Sequence, residues 1–396
     1  MKALRGFLFA FLLIAALPAC TATVETVPEK QPTPPITGPV PAPTSTVPVP
    51  IPPGEITATW KAAPGRSFTA LASATAGTEG AIAYAEVIDS AGSYTQARIK
   101  LQRLDSAGAT RGEAVELGAM ESGKLSGLTL ASDGAQYIAC WGDADNSQIS
   151  CATVSAGQGS ASPALSMAGR APALVYNAGT WALAHSAPNH LAVVKLTSDG
   201  FAAGSPAWFD AGEDLSFGMI PLLAPTKLGF VLAGGWDDVR VHQLDFAFAE
   251  VAAPVDLGVF SWTFAAIAAS ETKVAISLAT PGGSDVFFLD GVTLLDKQSH
   301  NGGGKMGLRA ALAAEGTSFG MLSASADDFS PENDGAFRYH TLTPGAVPDV
   351  AYLLSEDHRN YLSAPGVLLR LKDEMFFAVT QMNAGEEVVV ARTHQP

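Results

Sequence analysis

From Gly54 onward the chain is written in short apolar runs of 4–7 residues, separated by Gly, Asp, Ser and Pro. No stretch of ten or more residues carries the 3.6-residue period of an amphipathic helix. Apolar runs this short, bounded by turn formers, predict strands. One arrangement recurs: a strand, a polar loop, a second strand and a turn holding Gly or Asp. It is visible at 81–84 with 99–105, at 137–141 with 151–154, and at 180–184 with 191–196. It returns at 229–233 with 239–244, 273–278 with 286–289, 318–322 with 337–342, and 375–381 with 387–392. Anchored on Leu104, Val154, Leu196, Leu244, Leu289, Leu342 and Ala391, successive copies lie 42 to 53 residues apart.

Seven copies at this spacing, each with room for four strands, resemble the blades of a β-propeller. The expected fold class is therefore all-β, a seven-bladed β-propeller of four-stranded antiparallel blades. An all-β chain must hide its sheet edges, and radial closure does so. The seventh copy stops too early for an outermost strand, while the apolar run 56–60 stands unassigned before the first copy. The N-terminal strand is thus expected to complete the last blade. Six or eight blades, or tandem β-sandwiches, are the alternatives that the same pattern admits. No WD dipeptide signature or regular double glycine marks a subfamily.

Upstream the texture changes. Between Pro28 and Pro53 stand 11 prolines in 26 residues, a composition that cannot form helix or sheet and prefers extended polyproline II. Ahead of it, Lys2 and Arg5 precede an apolar run from Gly6 to Leu17 that ends in Leu17-Pro18-Ala19-Cys20. This segment resembles the lipobox signal peptide of bacterial lipoproteins, although Pro18 departs from the small residue usual before Ala19. The resemblance implies cleavage before Cys20, acylation of Cys20, and attachment to the membrane through those acyl chains. Thr21 stands where enteric-type sorting places an aspartate to retain lipoproteins at the inner membrane. The implied location is therefore the bacterial cell envelope, at the outer membrane on its periplasmic or surface side. The expected division is a signal peptide over 1–19, a lipidated and disordered proline-rich stalk over 20–54, and a propeller domain over 55–396.

Charge narrows the partners. The formal net charge is −15, which repels nucleic acid and anionic lipid, so neither is an expected electrostatic partner. Hydrophobic residues make up 47 % of the chain and charged ones 15 %, enough for a substantial core. With Cys20 assigned to lipid, Cys140 and Cys151 remain in an oxidising compartment. They lie in two alternating runs around the polar turn 142–148, and folding that segment as a hairpin sets them opposite each other as a disulfide.

Candidate chemistry is sparse. No nucleophile elbow, H-E-x-x-H, P-loop or dinucleotide fingerprint occurs, so no catalytic residue, cofactor or metal is assigned. Gly302-Gly303-Gly304-Lys305 reads as an inter-blade loop. Ser132-Asp133-Gly134 and Ser198-Asp199-Gly200 match only fragments of a sialidase turn and read as hairpin turns. Asp143-Ala144-Asp145-Asn146 starts like a calcium loop, then loses the pattern at Ser147 and Gln148. Among seven scattered histidines only His185 and His190 fall near each other.

One distribution stands out. The loops expected between the second and third strands of the blades (86–97, 142–148, 185–190, 235–239, 280–285, 324–335 and 382–387) hold 13 acids and no Lys or Arg. The acids include Asp143, Asp145, Asp237, Asp238, Asp285, Asp327, Asp328, Asp334, Glu386 and Glu387, together with Glu86, Asp89 and Glu332. In a propeller these loops share one face, which would attract a basic protein, a glycan or a cation, with Trp141 and Trp236 at its edge. The leading expectation is a non-enzymatic binding or scaffold protein. The alternative is a propeller hydrolase or lyase acting on glycans in the central channel, which requires convergent carboxylates there.

Overall fold

The structure is a computed structural model that describes residues 55–90, 93–120, 124–155, 157–187, 190–210, 221–235, 239–258, 265–280, 283–301, 306–326, 336–346, 352–355, 366–381 and 387–393. Side chains at 89–95, 280–283, 301–310, 324–338, 352–355 and 381 are outside that description. The described residues form seven four-stranded antiparallel sheets and no helix. Blades 1 to 6 span 67–120, 125–168, 170–210, 222–256, 265–301 and 306–355, each made of four strands consecutive in the chain. Blade 7 joins Val367–Leu371, Glu374–Gln381 and Glu387–Arg392 to the N-terminal strand Ile56–Lys61. Inner strands of consecutive blades lie side by side, and that of blade 7 lies beside that of blade 1, which closes the ring.

The expected blade count and the closure by the N-terminal strand are both present. Ile56, Ala58, Thr59, Trp60 and Lys61 pair with Ala391, Val390, Val389, Val388 and Glu387. Tandem sandwiches are excluded, because each described sheet packs against a neighbour on both of its faces and the inner strands follow one another round a single ring.

The sequence builds blades for a simple reason. In a radial sheet each second and third strand is covered on both faces, so its alternating side chains feed two different cores. In the strand Gly229–Gly234, Phe230 and Leu232 pack toward blade 3, while Val231 and Ala233 pack toward blade 5. Continuous apolar runs result, in place of an apolar–polar alternation. Buried apolar side chains of the described residues form seven clusters, one at each blade boundary. Outer strands follow another rule. Thr110–Met120 is exposed over its first five residues, and Val255–Asp256 is only two residues long.

Cys140 and Cys151 are register partners, bonded as a disulfide with their Cα atoms 4.1 Å apart. Both are buried in the core between blades 2 and 3. Closing so short a hairpin removes about 3 kcal/mol of unfolded-chain entropy in the loop-closure picture.

The seam between blades 7 and 1 carries polar ties besides its core. Thr57 Oγ1 donates to the Gly108 carbonyl at 3.1 Å, and Ser73 Oγ donates to the Leu368 carbonyl at 2.8 Å. Glu86, buried at the same seam, holds Lys100 Nζ at 2.9 Å.

Candidate functional site

Two places on a propeller can hold function, the central channel and the loop-bearing faces. The channel encloses a cavity of about 290 Å³ to which all seven inner strands contribute. Its side chains are aliphatic or small, among them Leu71, Leu128, Leu222, Ile267, Leu312 and Leu368. The hydroxyls in the wall are already engaged, Ser73 with Leu368 and Thr129 Oγ1 as acceptor for the Leu174 amide at 3.0 Å. No Asp, Glu, His, Lys or Arg is among the residues lining it. Among the described residues this wall therefore holds no pair of carboxylates of the kind glycan cleavage needs.

The loop face differs from the sequence expectation in its extent. Strands Glu79–Ser90 and Ser93–Leu104 run almost to the hairpin tip, so Glu86 and Asp89 sit in a strand. Asp143 closes the strand Gln136–Asp143, Asp285 lies within Gly283–Asp290, and Glu387 opens Glu387–Arg392. Of the described candidates only Asp145 lies in a loop proper, where it is exposed. Asp237, Asp238, Asp327, Asp328, Asp334 and Glu386 lie outside the described residues, as do Glu332, Trp236 and 302–305.

Local partners account for much of the acidity that is described. Asp143 Oδ1 accepts the amides of Asp145 and Asn146 at 3.0 and 3.1 Å, and its Oδ2 accepts Asn146 Nδ2 at 2.5 Å. Asp143 thus shapes its turn as an Asx cap. Asp285 accepts from Ser299 Oγ at 2.7 Å and pairs with Lys297 Nζ at 2.8 Å. Loop counting missed Lys100 and Lys297 because both stand on the strands behind the tips. Asp133 does the same turn work, accepting the amides of Ala135 and Gln136 at 2.8 and 2.9 Å.

Trp141 needs correction. It was expected at the edge of the face but is buried, 6 % exposed, in the core between blades 1 and 2. Strand alternation sends Tyr137, Ala139 and Trp141 to one side, and Gly118 of blade 1 leaves room for the indole.

The histidines also rearrange. His185 is buried and His190 exposed, and both lie edge-on to the half-exposed Trp208, with ring centroids 6.3 and 6.2 Å away. Burial holds His185 below the usual histidine range against the opposing contact with the Ser186 carbonyl. His300 and His340, 40 residues apart in sequence, meet across the boundary of blades 5 and 6 with ring centroids 5.2 Å apart. Their offset is close to one blade repeat, which is the signal that could have linked them. Among the described residues no three histidine, cysteine or carboxylate side chains converge.

No family model matches the chain, and no curated protein does. Solved structures do share the fold. The chain is similar to the WD40 repeats of RRP9 at 12 % identity and a TM-score of 0.51, covering 86 % of this chain and 100 % of that one. It is similar to the Dos1 propeller at 11 % identity and a TM-score of 0.50, over 85 % and 95 % of the two chains. At such identity the likeness is one of fold.

Proposed function

We propose that this chain is a lipid-anchored, non-enzymatic binding or scaffold protein of a bacterial cell envelope, at the outer membrane, with the propeller as its rigid recognition body. The observation that carries the non-enzymatic part is the channel wall, whose described lining residues are all uncharged. The anchor rests on the run from Gly6 to Leu17 ending at Ala19-Cys20, with the proline-rich stretch as spacer. No helix among the described residues is long and apolar enough to cross a membrane, so the attachment proposed is by acyl chains on Cys20.

Two experiments test it. In a bacterial host the full chain should sediment with membranes and incorporate an acyl label, whereas Cys20→Ser should be label-free and soluble in the periplasmic fraction. Label-free protein from the unaltered chain would remove the anchor. For the acidic face, a lysine-rich peptide should bind at about 50 mM salt, release at about 500 mM, and weaken about threefold on Asp145→Lys. Equal binding at both salt concentrations would remove charge attraction as the basis of recognition.

A further inference from the structure

The boundary between blades 5 and 6 departs from the apolar pattern of the ring. Ser277, Ser284 and His300 of blade 5 and Ser323 and His340 of blade 6 are all buried, each less than 9 % exposed. Apolar neighbours surround them, including Val286, Phe288, Phe319 and Met321. Polar groups placed in such surroundings cost free energy unless they are bonded. The His300 Nε2 atom is buried without a hydrogen-bond partner. His340 Nε2 lies 3.3 Å from Ser323 Oγ. The two rings stand at 76° with centroids 5.2 Å apart, each supplied by a different blade.

That separation matches one shared ion. A zinc–nitrogen bond of about 2.1 Å plus an imidazole radius of about 1.15 Å puts each centroid about 3.2 Å from the metal. Two such arms are long enough for one ion to bridge rings whose centroids lie 5.2 Å apart. The Ser323 hydroxyl holds the His340 ring through one nitrogen, as groups behind a metal site orient a ligating imidazole.

We propose that His300 and His340 form a two-histidine site for a divalent transition ion of the Zn²⁺ and Cu²⁺ class, bridging blades 5 and 6. Imidazole suits these ions, and two protein ligands leave the remaining positions for water. Sequence inspection separated the two residues by a whole blade and so missed the pair. The site is assigned without recourse to the anchor or to charge attraction at the acidic face.

The test uses the detergent-solubilised full chain without a histidine tag, stripped with chelator and titrated with ZnCl₂ by calorimetry. One Zn²⁺ per chain is expected, with affinity lowered at least about tenfold by His300→Ala and by His340→Ala and unchanged by His190→Ala. No saturable uptake below about 1 mM, or uptake equal to wild type in the His300 variant, overturns the proposal. Should the alanine variants fail to fold, Cu²⁺ resonance on the unaltered chain decides. Hyperfine coupling to two imidazole nitrogens supports the site, and its absence overturns it.

Discussion

A chain that starts at Ala62 should lose its single cooperative unfolding transition and expose apolar surface at neutral pH. The deletion removes Ile56–Lys61, the strand that closes blade 7 by pairing at five positions with Glu387–Arg392. Val388 and Val390 are fully buried only while that strand is in place beside them. Trp60 also leaves its contact with Tyr84 of blade 1, whose ring centroid lies 5.8 Å away. Five strand pairings, taken as about 1 kcal/mol of net hydrogen bonding each, together with the lost cover of a tryptophan, sum to at least about 5 kcal/mol. That is comparable to the whole stability of many domains. Urea unfolding followed by far-UV circular dichroism reads the result, and a peptide spanning 55–61 added in trans should restore part of the transition. A transition within about 1 kcal/mol of the full chain would mean that closure contributes little to the fold.

The strands that sequence patterning found are those covered on both faces. Phe230-Val231-Leu232-Ala233 is an uninterrupted apolar run because each neighbour blade claims every other side chain. Outer strands carry no such mark. Arg111, Gly112 and Glu113 lead the outer strand of blade 1 because its rim faces water. A stronger repeat lay in the turns between third and outer strands. Asp105, Thr197 and Asp245 each follow a buried leucine and accept the amide four residues ahead, at 3.0, 3.2 and 2.9 Å. Gly108, Gly200 and Phe248 then take positive φ three residues after them. The pattern leucine–Asp/Thr–x–x–Gly–x was hidden because blade 4 writes phenylalanine for glycine. Trp141 was misjudged because aromatic character at a strand end resembles a rim residue, and only the alternation of its strand decides. The offset of about one blade between His300 and His340 becomes a contact only when it is placed on the ring, where neighbouring blades touch.

Gly229→Ala should cost about 4 kcal/mol, because among the described glycines it alone would bring a Cβ within 3 Å of backbone atoms as its nearest neighbours. Gly229 opens the second strand of blade 4 at φ 138°, a backbone region that residues with a Cβ rarely enter. A Cβ there would lie 2.3 Å from the Leu244 carbonyl oxygen and 2.6 and 2.8 Å from Asp245 backbone atoms. Those atoms cannot withdraw easily. Asp245 Oδ1 caps the Ala247 and Ala249 amides at 2.8 and 2.9 Å, and Phe248, beyond it, is buried against Phe230. On the other side Asn177 Nδ2 of blade 3 donates to the Thr226 and Gly229 carbonyls at 2.8 and 2.6 Å. The strand start is therefore clamped between its own blade and the preceding one, so the methyl group must displace backbone. Gly204→Ala is the matched control. It also sits at positive φ, 127°, but nothing lies within 4 Å of its Cβ position, so only the backbone cost of about 1–2 kcal/mol should appear. The difference between the two urea midpoints isolates the collision from the conformational penalty. Equal losses at both positions would show that the turn after Leu244 yields freely, and that the blades are less tightly locked than these contacts require.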